Sequence, residues 1–232
     1  MGIDRVIILD TRESTSYERL LRRVLPQARF SYTTNHAELS LLVDDSARPL
    51  FVFTDGRDLC LDLYGSLSTA ANLPYDRARD IRECKFFDEA LNHPDARLLG
   101  FGRGSHLLWA ELTGELLQKV GNHVGAHDIV DLSTGESVKV VCFHDQAVDQ
   151  TTWRGEILAV DYSATSHRRV IQNDGECSVV TLYPSVNLPL ITVEAWSTAK
   201  ILGIQYRPDL SGTPVGGVNL FYKYFRQVIL GD

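Results

Sequence analysis

The segment ARLLGFGRGSHLLWAELTGELLQKV, residues 96–120, has the pattern of a strand, a very tight turn and a long amphipathic helix. Acyl-transfer enzymes of the α/β class place a Ser or Cys at the tip of such a turn. There it stands above the sheet at the positive end of the following helix, which lowers a thiol's pKa. Flanking glycines relieve the crowding of the turn. Here the tip residue is Gly102, which has no side chain to attack a carbonyl. Ser105, three residues on, belongs to the first turn of the helix and reads as a cap or first-turn residue. Cys142 lies in SVKVVCF, a strand-like piece where a free cysteine is ordinarily a small core residue.

Other clusters carry less. His123, His127 and His144 are metal-ligand types, but Gly121 and Gly125 make His123–His127 a poor helix. No acidic or thiolate partner set stands beside them in sequence, so no metal is expected. GFGRGS brings its third glycine one position too early for G-x-G-x-x-G, so no dinucleotide or other cofactor is expected. Arg79, Asp80 and Glu83 read as an ion pair on a helix surface.

These residues need a scaffold. RVIILD (5–10) is a continuous apolar run, as in a strand buried on both faces. TSYERLLRRVL (15–25) reads as a helix with capping-box spacing at Thr15 and Glu18 and with Tyr17, Leu20, Leu21, Val24 and Leu25 on one face. ARFSYT and RPLFVFTDG read as strands, and HAELSLLVDD and DRARDIRECKFFDEALN as helices. In the last, Ile81, Cys84, Phe87, Ala90 and Leu91 fall roughly on one stripe. The alternation predicts an α/β fold with a mostly parallel, doubly wound central sheet flanked by helices. From about residue 129, the pieces IVDL, SVKVVCF, EILAVDY, CSVVTLY and LITVEAW predict antiparallel strands, and VNLFYKYFRQVIL a closing helix. No linker divides the chain, so residues 1–232 read as a single domain.

A net charge of −7 argues against sequence-independent nucleic-acid binding, which needs a basic face. No apolar run reaches the length of a membrane span, and the N-terminus lacks a signal-peptide pattern. Cys60, Cys84, Cys142 and Cys177 are scattered, as expected of reduced thiols in a cytoplasm.

The elbow resembles that of the class I glutamine amidotransferase family, in particular its gamma-glutamyl hydrolase branch, where the turn reads roughly G-[IV]-C-R-G-x-Q. Gly100, Arg103, Gly104, Leu117 and Gln118 match; Gly102 stands at the catalytic Cys and His106 at the usual Gln. FTDGRDLCLDLYG (53–65) resembles the LTGGxDxxPxxYG oxyanion loop, with Asp55 in place of the first Gly and with Gly56 and Asp58 matching. DRARDIRE resembles a D..RD..E helix, and NHVGAH (122–127) a histidine-containing segment. VVCFHDQAV resembles V.S.HHQ.V, with His144 and Gln146 matching, Cys142 for Ser and Asp145 for the second His. VEAW…ILGIQYRPDL resembles iEa…lGVQfHPE, with Arg207 at the catalytic His and Asp209 at its supporting Glu.

The resemblance implies a flavodoxin-like amidotransferase fold and a degenerate Cys-His-Glu triad at Gly102, Arg207 and Asp209. Arginine is no base near neutral pH. It also implies a pocket lined by Gly56, Gly102, Arg103, Gly104, His144, Gln146 and Arg207. The helix N-terminus and Arg207 would make that pocket a site for a small anion or a glutamyl group. Alternatively, Arg207 pairs with Asp55 or Asp209 and fills the site. The implied role is a binding or scaffolding subunit with a synthetase or ligase-like partner. The competing expectation is an active amidotransferase or gamma-glutamyl hydrolase that uses Ser105, Cys142 or His144, or groups supplied by a partner synthetase.

Overall fold

A computed structural model describes residues 2–10, 15–43, 48–60, 75–113, 115–121, 123–152, 155–173, 176–185 and 190–232. The first half alternates as its sequence predicts: β1 (Arg5–Leu9), α1 (Ser16–Arg22), β2 (Arg29–Tyr32), α2 (Leu39–Leu42), β3 (Pro49–Phe53), α3 (Arg77–Asn92), β4 (Arg97–Phe101) and α4 (Arg103–Thr113). The second half holds β5 (Leu116–Gly121), β6 (Val124–Asp131), β7 (Ser137–Phe143), β8 (Ala147–Val148), β9 (Glu156–Asp161), β10 (Ser166–Asn173), β11 (Glu176–Leu182), β12 (Thr192–Ser197) and β13 (Ile201–Ile204). It closes with α5 (Val215–Tyr224), which runs into a π turn (Phe225–Leu230).

The centre of the sheet is parallel, in the order β2-β1-β3-β4-β13. β12 then pairs antiparallel with β13 and β9, and β6, β7, β10 and β11 extend the antiparallel part. Alternation along β1 splits the core. Val6 and Ile8 join Tyr17, Leu20, Leu21 and Phe221, under α1 and α5. Ile7 and Leu9 join Phe86, Phe87, Leu108 and Trp109, under α3 and α4.

Three local expectations are corrected. The helix after the elbow ends at Thr113, and Leu116–Gly121 is a strand paired with β8 and β10. A short apolar run such as LLQKV reads equally well in either state. The capping box does not form: Thr15 makes no side-chain cap, and Glu18 instead binds Arg22 and Tyr32. On α3 the buried face is Asp80, Glu83, Phe86, Phe87 and Ala90, whereas Ile81 and Leu91 are exposed. Two carboxylates displace apolar residues from that face because they hold a buried arginine.

Candidate functional site: the elbow and a buried imidazole row

The elbow forms as the glycines require. Gly102 sits at φ +49°, in the left-handed region, and its N–H donates to the Ile204 carbonyl at 2.8 Å. A Cβ at Gly100 would stand 2.6 Å from the Ser105 nitrogen, and one at Gly104 2.1 Å from the Phe53 carbonyl oxygen. Both glycines are therefore needed for α4 to seat against β3 and β4.

The space expected above Gly102 is filled by the chain itself. A Cβ on Gly102 would lie 2.2 Å from Asp55 Oδ1. That oxygen accepts the Arg103 backbone N–H at 3.0 Å, the donor an elbow offers to a ligand anion. The other Asp55 oxygen is 2.5 Å from Arg207 Nη1. Arg207 also binds Asp209 through two parallel bonds, Nε to Oδ1 at 2.8 Å and Nη2 to Oδ2 at 2.9 Å. Ser16 Oγ donates to the same Asp209 Oδ2 at 2.8 Å, and the guanidinium lies 5.8 Å from the Tyr17 ring centroid. Burial alone would lower the Arg207 pKa, but Asp209 and Asp55 hold it above the ordinary arginine value. Arg207 thus meets two carboxylates, leaving this cluster net negative. The surroundings add to this. Burial, then the Asp145 and Asp55 carboxylates, push the Asp58 carboxyl up to about 6.

Arg103, Gln146 and Ser105 have partners within the chain. Arg103 is buried and forms ion pairs with Asp80 and Glu83, which are buried too, so these carboxylates do not form a helix surface. Desolvation opposes the Arg103 charge, and the carboxylates of Glu83 and Asp80 outweigh it. Arg79 binds Glu83 at 2.7 Å and the Thr54 hydroxyl at 2.8 Å, tying α3 to the end of β3. A Cβ at Gly56 would stand 2.5 Å from Arg79 Nη1. Gln146 exchanges two bonds with the Leu59 backbone, at 3.0 and 3.2 Å, and donates to Gln118 at 3.1 Å. Residues 61–65 of the expected oxyanion loop lie outside the described residues. Ser105 is fully buried, and its hydroxyl accepts from Trp196 Nε1 at 2.9 Å. Cys142 is fully buried, and burial together with Glu194 pushes its thiol well above the usual range.

A second polar centre lies in the core. Four imidazoles form a row: His106 to His144 at 5.3 Å between ring centroids, His144 to His123 at 4.6 Å, and His123 to His127 at 4.6 Å. His123 Nε2 meets Glu194 Oε1 at 2.7 Å, and its Nδ1 is 3.2 Å from Asp161 Oδ2, close enough for charge attraction but out of hydrogen-bond line. Burial would lower the His123 pKa, yet Glu194 and Asp161 raise it to about 10. Burial and the neighbouring His123 hold His144 down to about 4. His106 bonds Gln205 Oε1 at 2.6 Å, and burial and His144 keep its pKa well below the ordinary value. Cys142 Sγ is 3.3 Å from Glu194 Oε2 and 3.7 Å from His127 Nε2. The acidic partners Asp161 and Glu194 come from β9 and β12, far from the histidines in sequence, and the Cys142 thiol comes from β7. Sequence reasoning misses Asp161 and Glu194. The signal available is an acidic residue at the inward phase of an otherwise apolar strand.

No protein-family model matches the chain, and no curated protein matches it. Solved structures do. The chain is similar to a protein from Thermoplasma acidophilum assigned as one subunit of a GMP synthase, with 12% identity over 98% of this chain and 99% of that chain and a TM-score of 0.54. It is also similar to a glutamine amidotransferase from Thermotoga maritima, with 13% identity over 98% of this chain and 84% of that chain and a TM-score of 0.55. The fold is that of class I glutamine amidotransferase-like proteins.

Proposed function

We propose that this chain is a catalytically degenerate amidotransferase-like domain, of the gamma-glutamyl hydrolase type, that acts as a binding or scaffolding subunit. One observation carries the reading. Three departures from the family's motifs meet at one point: Asp55 for Gly, Gly102 for Cys and Arg207 for His. The Asp55 carboxylate occupies the space a tip side chain would need, caps the Arg103 N–H and pairs with Arg207. Asp55 thereby takes the place of the anion that an open elbow would bind. With Asp58 and Asp145 nearby, the site repels a further carboxylate or phosphate rather than attracting it.

The two replacement nucleophiles that the sequence offers are unsuited to attack. Ser105 faces Trp196 in the core, and Cys142 is held as a thiol. The partner in this reading is a synthetase or ligase-like enzyme. The Thermoplasma neighbour, assigned as part of a synthase, is the analogy for it. The chain is read as a single domain. Cys60, Cys84 and Cys142 stand as thiols outside any disulfide, which fits a cytoplasmic setting. No helix among the described residues is long and apolar enough to cross a membrane.

The test is a glutaminase and gamma-glutamyl hydrolase assay of the natural chain beside the triple variant Asp55→Gly/Gly102→Cys/Arg207→His. The natural chain is expected to be silent. Turnover by the natural chain would overturn the reading. Activity in the triple variant but not in Gly102→Cys/Arg207→His would identify Asp55 as the group that closes the site.

A further inference from the structure

The imidazole row leaves valences that the chain does not satisfy. One donor atom from each of His123, Cys142, His144 and Glu194 lies within 4.8 Å of the others, and all four residues are buried. His144 bonds the Gln146 carbonyl through Nδ1 at 2.6 Å, which makes Nδ1 the protonated nitrogen. Its Nε2, with a lone pair, is left buried without a partner. A buried, unpaired imidazole lone pair costs free energy unless something occupies it.

The geometry points to a metal: we propose that His123, Cys142, His144 and Glu194 bind one divalent transition-metal ion of the zinc type. The donor set of two imidazole nitrogens, one sulfur and one carboxylate oxygen is that of tetrahedral zinc. Bonds of about 2.0–2.3 Å place ligand atoms roughly 3.3–3.8 Å apart, so the group needs to close by at most about 1.5 Å. The hydrogen bond between His123 Nε2 and Glu194, now 2.7 Å, opens to admit the ion, which displaces the His123 Nε2 proton and the Cys142 thiol proton to solvent.

One outer group is in place and one is close: His144 Nδ1 has the Gln146 carbonyl, and Asp161 Oδ2 stands 3.2 Å from His123 Nδ1, where a rotation of the ring would align the carboxylate–histidine–metal arrangement. Asp161 is itself fixed by the Ser163 N–H and hydroxyl, both at 2.8 Å. The strands supply the ligands economically. Cys142 and His144 are two residues apart at the end of β7 and share a face, while Phe143 between them points outward and is 55% exposed. Glu194 comes from the facing β12, and His123 from the residue before β6. Half-buried His127 stands 3.7 Å from Cys142 Sγ.

None of the four ligands is Asp55, Gly102, Arg207 or Asp209, and the readout is metal binding, so its failure is distinguishable from failure of the proposed loss of catalysis. The full chain is unfolded, stripped with chelator and refolded with Co²⁺ as the probe, then challenged with Zn²⁺. One equivalent of Co²⁺ is expected, with tetrahedral d–d bands and a thiolate-to-cobalt charge-transfer band, both displaced by Zn²⁺. Cys142→Ser is expected to lose the charge-transfer band. Asp161→Asn is expected to weaken binding about tenfold or more. Should Cys142→Ser fail to fold, His144→Gln decides, because it removes a nitrogen ligand without touching the sulfur and is expected to abolish stoichiometric binding. Absence of stoichiometric binding in the natural chain overturns the proposal. So does a charge-transfer band that survives in folded Cys142→Ser, or unchanged affinity in His144→Gln.

Discussion

The elbow cluster and the imidazole row are both knots of charge on the same sheet, and they are finished differently. At the elbow every strong donor has an internal acceptor: Arg207 on Asp209 and Asp55, and the Arg103 N–H on Asp55. In the imidazole row a lone pair on His144 and one on His106 are buried without partners. Charge density alone therefore does not mark a working site. What distinguishes the two is whether the chain has satisfied its own donors and acceptors. By that criterion the elbow tip is closed, and the chemistry left over lies in the imidazole row that runs from His106 on α4 to the residues of β7 and β12.

The sharpest way to break the comparison is to unpair a cluster that is closed. Arg103→Met leaves Asp80 buried without its cation and Glu83 with Arg79 alone, and is expected to cost about 3–5 kcal/mol in urea-unfolding stability. A loss under about 1 kcal/mol would show that those carboxylates are solvated or protonated. Gly104→Ala comes next. Its Cβ meets the Phe53 carbonyl oxygen, and overpacking of this kind is expected to cost about 1–3 kcal/mol by the same measurement.

Asp58 tests the acidity of the elbow's surroundings. Its carboxyl is raised to about 6 in the folded chain, above the ordinary value of 3.8. Its contribution to stability is therefore fully present below pH 3.8 and is lost as pH rises through about 6. Asp58→Asn is expected to stabilise the chain by about 1 kcal/mol at pH 7 and to leave it unchanged near pH 4, read from thermal unfolding at the two pH values. The smallest effect is a control. Lys139→Ala removes an exposed pair with Asp128, so less than about 0.5 kcal/mol is expected.

The parallel half of the fold is legible in the sequence because its signals are local. The run RVIILD, the amphipathic face of α1 and the glycines around residue 102 each dictate an element without outside help. The segment after Thr113 is not legible in this way, because Leu116–Val120 takes its state from β8 and β10, which lie far along the chain. The apolar residues of α3 mislead, since its buried face is set by Arg103, whose demand for two carboxylates cannot be seen from within the helix. At the elbow, Gly102 and Arg207 are legible as departures from a motif. That Asp55 completes them is only one of two readings the sequence allows, because residues 55 and 207 meet only in three dimensions. The imidazole row shows the same limit. Three of its histidines stand out in the sequence, while their partners Glu194 and Asp161 lie on strands whose pairing the sequence does not reveal.

The central claim is that Asp55 and Gly102 form one compensating unit, with Asp55 filling the space a tip side chain would need. A double-mutant cycle measures this directly. The stabilities of Gly102→Ala, Asp55→Gly and the double variant are determined by urea unfolding. The strain of a side chain at φ +49° is common to Gly102→Ala and the double variant, so it cancels in the cycle. The double variant is expected to be more stable than the sum of the single effects by about 1–3 kcal/mol, because removing the Asp55 carboxylate clears the 2.2 Å clash. Additivity within about 0.5 kcal/mol would contradict it and would reopen the elbow as a vacant pocket.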